Sequence, residues 1–150
     1  MKSQLNDLSY GDKRERVNHP RIEELLGVRL QKLDKYHCMD WKEIQSDDEA
    51  PWWVEQKARN ISFTHCEKFF SFNGRPTVLI GKHKLDYIKT HGGNGVIFFD
   101  FTDKLKYWVF NEEELKGFDV EGEFLRGQRT DVIDKPCAVV HIPLANLHDA

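Results

Sequence analysis

Pro51-Trp52-Trp53-Val54-Glu55-Gln56-Lys57-Ala58-Arg59 is the stretch from which the fold can be read. Side chains alternate between the two faces of a β-strand, so Trp53, Glu55, Lys57 and Arg59 share one face while Trp52, Val54, Gln56 and Ala58 share the other. One face carries charge and the other mostly bulk. This is the pattern of a strand that packs a core with one side and presents a carboxylate two residues before an amine on the other. Upstream, Cys38-Met39-Asp40-Trp41 reads as a shorter extended piece within 36–44, separated from 51–59 by the acidic loop Ser46-Asp47-Asp48-Glu49. Asp40 and Glu55 on neighbouring strands would bring two carboxylates together.

Toward the N-terminus, Val28-Arg29-Leu30-Gln31-Lys32-Leu33 alternates apolar and polar residues, as a half-buried strand does. Asp12 suits the N-cap of a short helix through Val17. Pro20 disfavours helical geometry at His19, yet suits the first turn of a second helix, Arg21 to Leu26, which Gly27 would end. The expectation is a loose lead-in over 1–10 and a broken or kinked helical segment over 12–26.

Toward the C-terminus, 61–72 is aromatic and irregular and reads as a loop over the core, followed by the turn signal Asn73-Gly74-Arg75-Pro76. A helix is expected over 78–90, with Gly81, Lys84, Leu85 and Ile88 spaced to lie on one packed stripe. Gly95 to Thr102 is almost wholly apolar, as in a strand buried on both faces, and forms a hairpin with Leu105 to Phe110 at the centre of the sheet. A short acidic helix after Asn111 and a Gly-interrupted stretch holding Arg126, Arg129 and Asp131 lead to a last strand, Cys137 to Ile142. Prolines 136 and 143 mark that strand as an edge or terminal element.

The 150 residues fit a single domain, and 39% hydrophobic with 31% charged residues is the balance of an ordinary globular chain. The polar start Met1 to Asp7 lacks the apolar core of a signal peptide, no run reaches transmembrane length, and three cysteines without short spacing suit reduced thiols. A cytoplasmic protein without a membrane partner is expected. A net charge of −3 excludes a protein coated in positive charge, but not local basic clusters such as Lys82 with Lys84 or Arg126 with Arg129.

Hydrolysis of a phosphodiester near neutral pH is served by a divalent ion on hard oxygen ligands, Mg²⁺ or Mn²⁺, which makes hydroxide available and neutralises phosphate charge. Asp40 and Glu55 can supply two such ligands and a helical Glu15 a third, while Lys57 stands where an ammonium can orient water or stabilise negative charge. The order Glu15, Asp40, Glu55-Gln56-Lys57 on helix, strand and strand resembles the PD-(D/E)xK nuclease superfamily. The restriction-endonuclease-like fold of that family would make this chain a three-layer α/β domain with a central mixed β-sheet flanked by helices. The resemblance implies that Asp40 takes the first acidic position, Glu55 and Lys57 form the E-x-K pair, and the Gln56 carbonyl adds a metal ligand. Met39 replaces the proline of the family name.

Tyr10-Gly11 with Glu15, Lys57-Ala58-Arg59, Gly81-Lys82-His83-Lys84, Arg126-Gly127-Gln128-Arg129-Thr130-Asp131 and Ile142-Pro143 resemble a subgroup found in large DNA viruses and phages. The resemblance spans about 10–145. It implies a DNA substrate with RNA left open, an Mg²⁺ or Mn²⁺ cofactor, pairing of two copies as an open question, and action in a host cytoplasm or virion. Glu23 and Glu24 compete with Glu15 for the helical carboxylate. Arg59, Lys82 and Lys84 are candidate phosphate contacts, Lys84 alternatively a snorkelling helix residue. Arg126 and Arg129 either hold phosphates or pair with Asp131 and Glu123. Trp53, on the charged face, is a candidate to meet a base or sugar. A non-catalytic nucleic-acid-binding or virion-associated protein that keeps the fold is the rival reading.

Overall fold

The computed structural model describes residues 2–44, 50–124 and 137–150. Helix α1 (Lys2–Leu26) leads into strands β1 (Leu30–Lys32), β2 (Trp41–Glu43) and β3 (Trp53–Ala58). Helix α2 (Phe63–Phe69), strands β4 (Ser71–Phe72) and β5 (Arg75–Gly81) and helix α3 (Lys82–Thr90) follow. The chain continues through β6 (Gly95–Asp100), β7 (Leu105–Val109), the one-turn helix α4 (Glu112–Leu115), β8 (Asp119–Phe124) and β9 (Cys137–Pro143). A 3-10 turn (Leu144–Asn146) and β10 (His148–Asp149) end it. The described residues make a mixed α/β structure with two sheets and four α-helices.

One sheet has six strands in the order β1-β2-β3-β6-β7-β10, and it is mixed: β3 and β6 are parallel, the other pairs antiparallel. The parallel pair needs a crossover, and the chain from α2 to α3 supplies it. Every residue of β6 is buried, as its apolar run implies. The second sheet, β4-β5-β9-β8, is antiparallel. Asn73 (φ 50°) and Gly74 (φ 82°) turn β4 into β5, a pair of positive φ values that matches the right-handed twist of a tight hairpin.

The six-stranded sheet is packed on both faces. Toward α1 it buries Val54, Val96 and Phe98 with Ile22 and Leu30. Toward the second sheet and α3 it buries Trp53, Ile97 and Phe99 with Ile80, Leu85 and Ile88. The alternation read along 53–57 is therefore real, but both faces are covered, and the layer opposite α1 is a sheet with helices rather than helices alone.

Five local expectations are corrected. Helix α1 begins at Lys2, so 1–10 is no loose lead-in and Asp12 lies inside the helix. Helix α1 also runs through Pro20, which is exposed. The missing N–H costs one helical bond, and Asn18 to Gln56 and His19 to the Leu30 carbonyl (3.1 Å) fasten the chain on its N-terminal side while buried Ile22 does so on the other. Residues 63–69 form α2, capped by Ser62 through the His65 amide.

The expected helix over 78–90 is β5 up to Gly81 and a helix only from Lys82. Thr77-Val78-Leu79-Ile80 favours the pleated surface, where Val78 and Ile80 reach the core. Strand β9 is central, between β5 and β8. Pro143 pairs with Thr77 at the last position of the ladder, where a lost N–H matters least. Among the described residues no helix is long and apolar enough to cross a membrane.

Candidate metal centre

Strand β2 stops where the site begins. Its antiparallel pairing with β3 covers Trp41 and Lys42 against Val54 and Trp53, and the Asp40 amide donates to the Val54 carbonyl (3.1 Å). Beyond Val54, β3 has no partner strand on that side. Along a strand the amide and carbonyl of residues two apart point the same way, so those of Gln56 face the gap. The Asp40 carboxylate fills half of the need: its Oδ2 accepts from the Gln56 amide at 2.8 Å. This ties Asp40 to the strand edge and aims its second oxygen, Oδ1, away from it.

Around that oxygen the chain gathers three carboxylates and three amines. Glu15 comes from α1; its Oε2 accepts from Lys32 Nζ at 2.9 Å, and the same ammonium lies 3.6 Å from Asp40 Oδ1. Glu55 comes from β3 and is 3% exposed; its Oε2 lies 2.9 Å from Lys84 Nζ and 3.6 Å from Lys57 Nζ. Lys84 also donates to the Cys38 carbonyl, which holds the bend before Asp40 against α3. When Glu55 is ionised its Oε1 is buried without a hydrogen-bond partner; a proton on Glu55 is shared with Asp40.

Crowding of like charge out of water sets the protonation of the trio. Burial pushes the Glu55 carboxyl up to about 7, the Asp40 charge adding to the effect and Lys57 and Lys84 opposing it. Burial, followed by the charge of Asp40, also raises Glu15 to about 7 against the pull of Lys32. At Asp40, burial acts in the same sense, but the Gln56 amide, the shared protons of Glu15 and Glu55 and the charge of Lys32 outweigh it and hold the carboxyl below its ordinary value. Asp40 is thus the resident anion, and its two neighbours keep protons available for exchange with a cation.

Among the described residues no group of three His, Cys, Asp or Glu side chains is already spaced to enclose an ion. The donor chemistry nevertheless fits a hard divalent ion: carboxylate oxygens from Glu15, Asp40 and Glu55, the Gln56 carbonyl beside them, and one buried oxygen of Glu55 without a donor. The ammoniums of Lys32 and Lys84 now balance the charge that such an ion would balance.

The other candidate residues fall elsewhere. Glu23 accepts from the Leu30 amide (2.7 Å), fixing the exit of α1 into β1, and Glu24 is exposed, so the helical carboxylate beside Asp40 is Glu15. Arg59, at the end of β3, donates to the Leu79 carbonyl (2.7 Å) and ties the two sheets. Lys82 is exposed and pairs with Asp86 at 3.0 Å. Trp53 is only 6% exposed, with His37, Tyr87 and His91 against its ring, so it does not face a base or sugar. Arg126, Arg129 and Asp131, like Asp47 and Asp48, lie outside the described residues, and Glu123 is described for its backbone alone.

Lys32 was not among the sequence candidates. Its signal was a lysine two residues after buried Leu30, on the strand face that meets α1. Asn18, which donates to the Gln56 side chain (3.2 Å), and the Arg14 to Asp100 ion pair (2.6 Å) support the same interface. Compared with known proteins, the chain finds no matching family model, curated protein or solved structure.

Proposed function

We propose that the chain is a divalent-metal-dependent nuclease of the PD-(D/E)xK type acting on DNA. The observation that carries this reading is the convergence of Glu15, Asp40 and Glu55 at the unpaired edge of β3, with Lys57 and Lys84 against Glu55 and a buried Glu55 oxygen left without a donor. An acidic trio of three different elements, held by two amines at its centre, suits phosphodiester hydrolysis better than it suits stability. The element order supports it too: the helix bearing Glu15, three antiparallel strands with Asp40 just before the second and Glu55 on the third, then a crossover helix bearing Lys84 and a strand parallel to the third.

In this reading a Mg²⁺ or Mn²⁺ ion held by Asp40, Glu55, Glu15 and the Gln56 carbonyl supplies Lewis acidity, lowering the pKa of water and neutralising phosphate charge. The chain's own residues do the rest. Asp40, locked by the Gln56 amide, fixes the position of the centre. Lys57, 22% exposed, reaches from the buried carboxylate toward solvent and orients the attacking water. Lys84 bridges Glu55 and the Cys38 carbonyl, holding the two ligand-bearing segments together and adding positive charge near the scissile phosphate.

The test is cleavage of a panel of labelled linear, nicked, branched and single-stranded DNAs and an RNA, with Mn²⁺, Mg²⁺ or chelator, by wild type, Asp40→Ala and Lys57→Ala. Metal-dependent cutting lost in both variants is the expected result, and the preferred substrate names the specificity. A folded protein that cuts nothing and binds the panel equally in all three forms refutes catalysis and supports the non-catalytic nucleic-acid-binding or virion-associated role.

A further inference from the structure

Asp40 offers an ion only one oxygen that the backbone has not taken. Oδ2 is committed to the Gln56 amide at 2.8 Å, and the remaining Oδ1 faces Lys32 Nζ at 3.6 Å. The same ammonium donates to Glu15 Oε2 at 2.9 Å. An ammonium is a compact point charge with three donors and no acceptor, so it occupies the space between two carboxylates much as a small cation does. It is also the most exposed of the three site amines: the Lys32 side chain is 46% exposed, against 22% for Lys57 and 14% for Lys84. Its Nζ also stands over the buried Trp41 ring, 5.1 Å from the centroid. Swinging away loses two carboxylate contacts and the ring contact and regains hydration, without opening the core.

We infer that Lys32 is a resident counter-cation of this centre, which a divalent ion must displace from Asp40 Oδ1 and Glu15, so that the lysine sets the ion concentration at which the centre loads. The inference rests on the metal-centre reading above and adds to it a residue that the acidic motif does not contain. With the lysine in place the acidic pair is neutralised and the chain stands ready but unloaded. With the lysine displaced, Glu15 is released to the ion. Lys84, in the first turn of α3, cannot play this part, because it is fastened to the Cys38 carbonyl and to Glu55.

The experiment measures Mn²⁺ binding by calorimetry and by quenching of tryptophan fluorescence in wild type, Lys32→Met, Lys32→Arg and Asp40→Asn. Loss of a competing charge-assisted contact predicts that Lys32→Met binds Mn²⁺ about tenfold more tightly than wild type, with Lys32→Arg close to wild type and Asp40→Asn much weaker. If wild type binds through Asp40 but Lys32→Met binds equally or less tightly, the inference is overturned while the metal centre stands. If neither wild type nor Lys32→Met binds, the metal centre itself is overturned. A second measurement uses the unaltered chain: the rate at which an amine-reactive reagent labels Lys32, read by peptide mass spectrometry against exposed Lys35. Faster labelling of Lys32 in Mg²⁺ than in chelator is expected; unchanged or slower labelling refutes displacement.

Discussion

Replacing Glu55 by glutamine tests whether this carboxylate is an anchor of the fold or a burden on it. Burial, with the charge of Asp40, moves the Glu55 carboxyl from its ordinary 4.5 to about 7 in the folded chain. Between those values the folded state holds a proton that the unfolded state has released, so stability declines as pH rises from 4.5 and levels off above 7. The difference corresponds to about 3 kcal/mol. The neutral amide of the Glu55→Gln variant would carry no such penalty, and the attraction of Lys57 and Lys84 for the carboxylate is already contained in that shift. The expected net effect is that Glu55→Gln is about 3 kcal/mol more stable than wild type at pH 8 and equal to it near pH 4.5. Urea unfolding in chelator, followed by the fluorescence of buried Trp41, Trp53 and Trp108, measures it. In Mg²⁺ at pH 8 the order should reverse, since wild type alone gains from the ion. A variant that is less stable than wild type by the same margin at both pH values refutes the reasoning and makes Glu55 a structural partner of Lys84.

Arg14→Ala should cost about 3 kcal/mol in urea unfolding, because it leaves the 3%-exposed Asp100 carboxylate without its guanidinium, and adding Asp100→Asn should recover most of the loss. Gly95→Ala should cost about 1–3 kcal/mol, since the new Cβ would lie 2.5 Å from Cδ1 of fully buried Ile88; on an Ile88→Ala background the same change should add nothing. Pro20→Ala should raise the thermal midpoint by restoring the helical N–H that the Arg16 carbonyl lacks, a gain of about 1–3 kcal/mol at an exposed position.

What could be read from the sequence was what depends on neighbours along the chain. The faces of 53–57, the doubly buried run 95–100, the Asn73-Gly74 turn and the stop at Gly27 all follow from periods or backbone rules that act over a few residues. Glu55 and Lys57 were visible for that reason, and Asp40 because it precedes the neighbouring strand. The helix over 78–90 was misread because Gly81, Lys84, Leu85 and Ile88 fit a helical stripe across a strand-to-helix junction; the β-branched residues before Gly81 were the better guide. The choice of Glu15 over Glu23, and the part of Lys32, depend on how α1 crosses the sheet. Glu15 meets Asp40 from 25 positions away in sequence, and no local pattern encodes a crossing.

The charge arrangement favours the proposed metal centre over a structural ion-pair network. Networks retained for folding have every member matched, because a buried ionised oxygen without a donor costs more than the pair returns. Here the buried Glu55 carboxylate is matched on one oxygen only, and two carboxylates beside Asp40 keep protons up to about 7. Two acids elsewhere among the described residues are matched: Asp100 has Arg14 on both carboxylate oxygens, and exposed Asp149 has Lys106 at 2.7 Å. The exception falls at the one place where β3 loses its partner strand and its backbone faces outward. A fold that neutralises buried Asp100, yet leaves three acids crowded at an open strand edge, gives up stability where a cation would restore it. That is why metal addition, rather than a further substitution, is the perturbation to which this centre should answer most strongly.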